Sequence, residues 1–113
     1  MKNSKELLQE IQDTMNSFGK VNSEAMEGFK KFMDASKQDG VLSKKMKEII
    51  GVALSVSKQC EWCVALHIRQ ALQAGATKDE IMEACLVAAM MGGGPSLMFT
   101  KNVLQALEDF TKK

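Results

Sequence analysis

The chain has 113 residues, of which 45% are hydrophobic and 26% charged, a balance typical of one globular domain with a buried core. Its 15 basic and 14 acidic side chains nearly cancel, so no charge excess favours nucleic acid or an anionic membrane. No apolar run reaches the roughly 18 residues of a membrane-spanning helix, and the amino terminus lacks a secretory pattern. We therefore expect one domain over residues 1–113, in the cytoplasm, with no nucleic-acid or membrane partner.

The composition favours an all-α fold of about six helices, because proline occurs once, tyrosine is absent and strong helix formers recur. Apolar spacing predicts a first helix from Ser4 to Phe18 that ends at Gly19. A second helix is predicted from Asn22 to Lys37. Its apolar face consists of Met26, Phe29, Phe32 and Met33.

Ser43 is the predicted N-cap of a third helix. The apolar stripe of that helix comprises Met46, Ile49, Ile50, Ala53 and Leu54. A fourth helix is expected to begin near Cys60 and to end at Gly75, since glycine suits the left-handed position that follows many helices.

The segment Thr77-Lys78-Asp79-Glu80 has the spacing of a capping box and predicts the start of a fifth helix, which runs to Met91. Gly92-Gly93-Gly94-Pro95 then predicts a break, and a last helix extends to Phe110. Cys85 and the nine methionines are interpreted as core residues. Several helices are apolar over wide arcs that a short chain cannot cover alone, which indicates a homo-oligomer.

The segment most informative about chemistry is Cys60-Glu61-Trp62-Cys63-Val64-Ala65-Leu66-His67. On a helix, Cys60, Cys63 and His67 lie within roughly 60° of one another and share one face. Two cysteines at this spacing can close a reversible disulfide, and the helix amino terminus stabilises a thiolate. A histidine one turn later is placed to accept or return the proton that thiol chemistry must move.

Glu48 lies outside this segment but can reach it if the chain folds back on itself. It precedes Cys60 by 12 residues, which is too far for contact along one continuous helix. If the chain reverses near Ser57-Lys58-Gln59, Glu48 lies opposite residues 67 to 69. The sequence therefore predicts a partly buried carboxylate beside His67, at the edge of its helix's apolar stripe.

Other interpretations of these residues remain open. Cys60 and Cys63 could form half of a zinc site, although Zn²⁺ needs four ligands and only His67 and the distant Cys85 remain as candidates. They could also be unreactive core cysteines. Trp62 either forms a wall of the site or fills the core.

Glu48, eleven intervening residues, and Cys60-x-x-Cys63-x-x-x-His67 together resemble the signature of the alkylhydroperoxidase D-like branch of the carboxymuconolactone decarboxylase family. The resemblance extends from about Leu42 to Phe110. It implies an all-helical subunit, assembled into trimers or hexamers, with its site near subunit contacts and with no metal or organic cofactor.

The resemblance also implies roles for the four residues. Cys63 attacks a peroxide and becomes a sulfenic acid, Cys60 resolves it to the Cys60–Cys63 disulfide, and Glu48 and His67 relay the proton. Helix electrostatics alone would instead favour Cys60 as the more acidic thiol. The expected substrate is a peroxide or a disulfide, and the expected electron donor is a thiol or dithiol reductant protein.

Two other functions stay in view. The first is a decarboxylase or isomerase acting on a lactone with His67 and Glu48 as acid and base. The second is a non-enzymatic metal-binding or oligomeric module.

Overall fold

The computed structural model describes residues 3–111, and within that range the chain forms six α-helices and no strand. The prediction of an all-α fold with about six helices is confirmed. In chain order the helices are α1 (Ser4–Val21), α2 (Ser23–Ser36), α3 (Lys44–Ser57), α4 (Glu61–Gln73), α5 (Lys78–Gly92) and α6 (Gly94–Thr111). Among these residues no helix is both long enough and apolar enough to cross a membrane.

The boundary between α1 and α2 lies at Asn22, and the predicted end of the first helix at Gly19 is wrong. The backbone N–H of Asn22 donates to the Phe18 carbonyl and closes α1. Its side chain accepts a hydrogen bond from the Ala25 N–H and begins α2. A single glycine inside a helix costs only about 1 kcal/mol, so Gly19 weakens α1 without ending it.

The turn between α3 and α4 has the hydrogen bonds of a Schellman motif. The N–H of Cys60 donates to the Ser55 carbonyl at 3.1 Å, and the N–H of Gln59 donates to the Val56 carbonyl at 3.1 Å. Gln59 occupies the left-handed position of the motif with a φ of 53°. Cys60 therefore ends the α3 turn and is at the same time the N-cap of α4. The tight turn lays α4 back against α3.

The second half of the chain follows the predicted helix ends closely. Gly75 is left-handed with a φ of 94°, and Thr77 and Glu80 form the complete capping box of α5. The Thr77 backbone N–H and the Lys45 side chain, which lies 3.0 Å from Glu80, hold the pKa of the Glu80 carboxyl below its usual value. The predicted break at residues 92–95 is shorter than expected, because only Gly93 separates α5 from α6.

The core lies where α3, α4, α5 and α6 meet. Its fully buried members include Val52, Val56, Val64, Ile68, Ile81 and Val103. α2 contributes no buried residue. The core is thus built mainly by α3, α4, α5 and α6, and α4 is the helix that carries the cysteine motif.

Four of the methionines that the sequence predicts to fill the core are exposed instead: Met46, Met90, Met91 and Met98. Other apolar side chains of the predicted helix faces are exposed as well, among them Phe29, Phe32, Ile50 and Leu54. Periodicity predicts an apolar face but does not say whether that face is covered within the same subunit. The methionines are therefore not uniformly core-filling, and the subunit carries a large exposed apolar surface.

We predict that Gln59→Gly raises the free energy of unfolding, by up to about 1 kcal/mol, because glycine adopts a positive φ without steric cost. Urea unfolding of the oxidised protein measures the change. Lys58→Gly is the matched control: its φ of −83° is helical, so glycine there should lower stability. A Gln59→Gly protein less stable than the wild type would contradict this account of the turn.

Candidate active site

The amino terminus of α4 carries a disulfide between Cys60 and Cys63, with Cα atoms 5.3 Å apart. The sulfur of Cys60 also acts as the N-cap and accepts the backbone N–H of Cys63 at 3.2 Å. Both cysteines are partly buried, and the residues between them, Glu61 and Trp62, are exposed. The pair therefore lies at the protein surface, at the positive end of the helix dipole.

Glu48 and His67 form the second part of the site. Oε1 of Glu48 lies 2.8 Å from Nδ1 of His67, and the Glu48 side chain is only 1% exposed. The count across the hairpin predicted Glu48 opposite residues 67 to 69, and the structure pairs it with His67. Glu48 is more deeply buried than the edge position anticipated, because α4 covers that side of α3.

The other carboxylate oxygen of Glu48 has an unusual environment. Oε2 is buried and accepts no hydrogen bond among the described residues. Nζ of Lys44, one turn earlier on α3, lies 3.7 Å from it, which is an ion pair too long for a hydrogen bond. Lys44 is partly exposed, so solvent screens this attraction. His67 is therefore the principal hydrogen-bonding partner of the carboxylate.

The pairing defines which nitrogen of His67 is available. An ionised carboxylate can only accept a hydrogen bond, so it selects the imidazole form with a proton on Nδ1. Nε2 is then left free to accept or donate a proton. His67 is partly exposed and follows Cys63 by one helical turn, so the arrangement suits proton transfer at a thiol.

Trp62 has a contact that the sequence did not reveal. Its ring N–H donates to Oε1 of Glu10 at 2.8 Å, across 52 residues of chain. The indole is 44% exposed, so Trp62 does not fill the core. No local pattern could have identified Glu10, which lies on α1 among several other polar residues.

Cys85 lies in the core, as the sequence predicted. Burial raises the pKa of its thiol to about 11. Within residues 3–111 no group of three or more His, Cys, Asp and Glu side chains is arranged to hold a metal ion.

A cavity of about 690 Å³ forms an open groove between α1, α2 and α4. It is lined by Lys5, Leu8, Gln9, Ile11, Gln12, Met15, Lys30, Met33, Asp34, Lys37, Leu66, Arg69, Gln70 and Gln73. None of the four candidate residues lines it. The disulfide and the Glu48–His67 pair lie instead on the α3–α4 surface, outside this groove.

Comparison with known proteins identifies the family of the chain. The family model "Carboxymuconolactone decarboxylase family" matches residues 23–108, which include all four candidate residues. The chain belongs to the carboxymuconolactone decarboxylase family. An uncharacterised protein from Cupriavidus necator is 39% identical over 97 residues, covering 86% of each chain.

Solved structures of carboxymuconolactone decarboxylase family proteins share the fold. The apo protein from Legionella pneumophila is 38% identical, with a TM-score of 0.91 over 96% of this chain and 97% of that one. A protein from Thermotoga maritima is 25% identical, with a TM-score of 0.82 over 93% of this chain and 90% of that one. A role in antioxidative response has been suggested for the Thermotoga protein.

We predict that Cys85 resists alkylation in the folded protein. With a pKa of about 11, only roughly one Cys85 thiol in a thousand is ionised at pH 8, and burial blocks access as well. Iodoacetamide should therefore modify two thiols of the reduced native protein quickly and the third only after unfolding in urea. Intact mass and peptide mapping give the count, and rapid native labelling of Cys85 would contradict its burial.

Proposed function

We propose that the chain, as a single domain over residues 1–113, is a thiol-dependent peroxidase or disulfide oxidoreductase of the alkylhydroperoxidase D-like type. The observation that carries the proposal is the hydrogen bond between buried Glu48 and His67, which lies one helical turn beyond Cys63 of the disulfide. A redox-active cysteine pair and an oriented proton carrier are the two components that this chemistry needs. The reaction needs neither a metal nor an organic cofactor.

In the proposed cycle, the Cys63 thiolate attacks one oxygen of a hydroperoxide and breaks the O–O bond. Cys63 becomes a sulfenic acid, and the departing alkoxide takes a proton to give an alcohol. The Cys60 thiol then attacks the sulfenic sulfur, which releases water and closes the disulfide. A dithiol reductant protein supplies two electrons and two protons and restores both thiols.

His67 is the proposed proton carrier in this cycle. With Nδ1 held by Glu48, Nε2 accepts the thiol proton and returns it to the leaving oxygen. Glu48 orients the ring and stabilises the imidazolium that forms transiently. The same residues serve a disulfide substrate, where the leaving group is a thiolate.

One comparison also supports a redox role. The suggested antioxidative role of the Thermotoga relative concerns a protein of the same fold and family.

For the location of the protein we propose the cytoplasm. The third cysteine, Cys85, is buried and unpaired, which suits a reducing compartment.

We predict that the two cysteines respond differently to peroxide. Cys60→Ser should accumulate a sulfenic acid at Cys63, since the resolving thiol is missing, and a dimedone-type probe should trap it. Cys63→Ser should abolish turnover and give no adduct. His67→Ala should slow turnover by about 100-fold or more, the usual effect of losing a general acid or base.

Cys85→Ala is the matched control, because it removes a thiol that burial keeps out of the reaction. Its turnover with hydrogen peroxide or an alkyl hydroperoxide should match that of the wild type. If the probe trapped a sulfenic acid at Cys60 in the Cys63→Ser protein, the attacking and resolving roles of the two cysteines would be exchanged. Full turnover in Cys63→Ser would end the proposal.

We also propose that the functional form is a homo-oligomer, a trimer or a hexamer. The exposed apolar residues of α5 support this: Leu86, Val87, Met90 and Met91 are 57 to 79% exposed. On α3, Met46, Ile50 and Leu54 form a second exposed apolar row. Monomeric soluble proteins rarely leave so much continuous apolar surface in water.

Sedimentation at micromolar concentration should therefore show an assembly larger than the 12.4 kDa subunit. Met90→Lys should shift the protein towards smaller species, because it buries a charge in the proposed interface. Glu27→Lys is the matched control, since it adds a lysine at an exposed polar position of α2, outside both apolar rows. A well-folded wild-type monomer would overturn the proposal.

The second candidate function is a lyase acting on a lactone, as the family name describes. The Glu48–His67 pair favours it, because such a pair could perform acid–base chemistry without either cysteine. Lactone turnover that survives in a Cys60→Ser/Cys63→Ser protein would support the lyase over the peroxidase.

A further inference from the structure

The imidazole of His67 packs against α3 at a glycine. A Cβ atom built on Gly51 would lie 2.6 Å from Nδ1 of His67 and 2.9 Å from both Cε1 and Cγ. Distances this short between heavy atoms that are not bonded to each other are strongly repulsive. The ring therefore occupies the space that any side chain at position 51 would need.

This contact involves the edge of the ring that binds Glu48. The ring atoms nearest to Gly51 include Nδ1, whose hydrogen bond to Oε1 of Glu48 is 2.8 Å long. Nε2 is not among the three atoms nearest to that Cβ position, so it lies farther from residue 51 than Nδ1 does. Glu48 and Gly51 are three residues apart on α3 and face the same side. Glu48 and Gly51 therefore both contact the Nδ1 edge of the imidazole. Nε2, on the opposite edge, is left available to exchange a proton.

Gly51 differs in this respect from other glycines inside helices. A Cβ on Gly19 of α1 or on Gly28 of α2 would meet nothing within 4 Å. Glycine destabilises the interior of a helix relative to alanine. At position 51 the close approach of the His67 ring explains why a glycine is present, because alanine would collide with the ring. The Gly51 carbonyl also accepts the Ser55 hydroxyl at 2.6 Å, and the Ser55 carbonyl accepts the Cys60 N–H.

We propose that Gly51 is a positioning residue for His67: the missing side chain lets the ring approach α3 closely enough to bond Glu48 through Nδ1 and to present Nε2 to the cysteines. Its effect on turnover rests on the function proposed above. A methyl group at position 51 displaces the ring, lengthens the bond to Glu48 and frees the imidazole to exchange between its two neutral forms.

The test compares Gly51→Ala with Gly28→Ala, a matched glycine that touches neither the site nor the core. His67 is the only histidine, so ¹⁵N spectra of the imidazole report this ring alone. Gly51→Ala should shift the ring nitrogens from one neutral form towards a mixture of two. Its kcat should fall by about tenfold or more with KM nearly unchanged, because the proton carrier is misplaced. Gly28→Ala should change neither spectrum nor kcat.

Unfolding in urea supplies a second, independent readout. Gly51→Ala should lower the unfolding midpoint of the wild type but raise it in a Glu48→Gln/His67→Ala background, where the ring is gone and no carboxylate is left buried without its partner. Such a reversal is the signature of direct coupling between two residues. If Gly51→Ala folds only in that background, the proposal is equally supported.

Two results would overturn the proposal: an unchanged imidazole spectrum in Gly51→Ala, or an equal loss of stability in both backgrounds. The spectra and midpoints require no turnover. A wild-type protein inactive towards peroxides and disulfides would therefore contradict the proposed function, and these two measurements would still decide the role of Gly51.

Discussion

The hydrogen bond between Glu48 and His67 is the contact on which the candidate site depends. A carboxylate that is 1% exposed must have a partner, because an unpaired buried charge costs several kcal/mol. His67 is that partner, and it belongs to α4, the helix that begins at the Cys60–Cys63 disulfide. The contact that satisfies buried Glu48 also orients the imidazole, so the packing of α3 against α4 and the geometry of His67 are set together.

Cys60 links the same two helices through its backbone. Its N–H closes the turn after α3, and its sulfur caps the first turn of α4. The hydrogen bond to Ser55 is made by backbone atoms, so reduction of the sulfur–sulfur bond removes neither its donor nor its acceptor. In the proposed cycle, this contact would let the thiol and disulfide forms share one backbone framework.

Much of the site could be predicted from sequence because its geometry is local. Cys60, Cys63 and His67 share a face through helical spacing alone, and Glu48 followed from counting back across a short hairpin. The Glu10–Trp62 hydrogen bond could not be predicted, since it joins residues 52 positions apart whose approach depends on how α1 packs. The close contact between Gly51 and the His67 ring could not be predicted either, because a glycine inside a helical pattern indicates only a weakened helix until the neighbouring ring is located.

The same geometry reconciles helix electrostatics with the cysteine roles proposed here. The N-cap position stabilises negative charge on Cys60, so helix electrostatics alone favours Cys60 as the attacking thiolate. Stabilisation, however, also makes a thiolate a better leaving group and a weaker nucleophile. A reductant that attacks the Cys63 sulfur expels Cys60, whose charge then meets the Cys63 N–H that already lies 3.2 Å from its sulfur. In the proposed cycle, the N-cap thus serves the reductive half, while the histidine one turn beyond Cys63 serves the oxidative half.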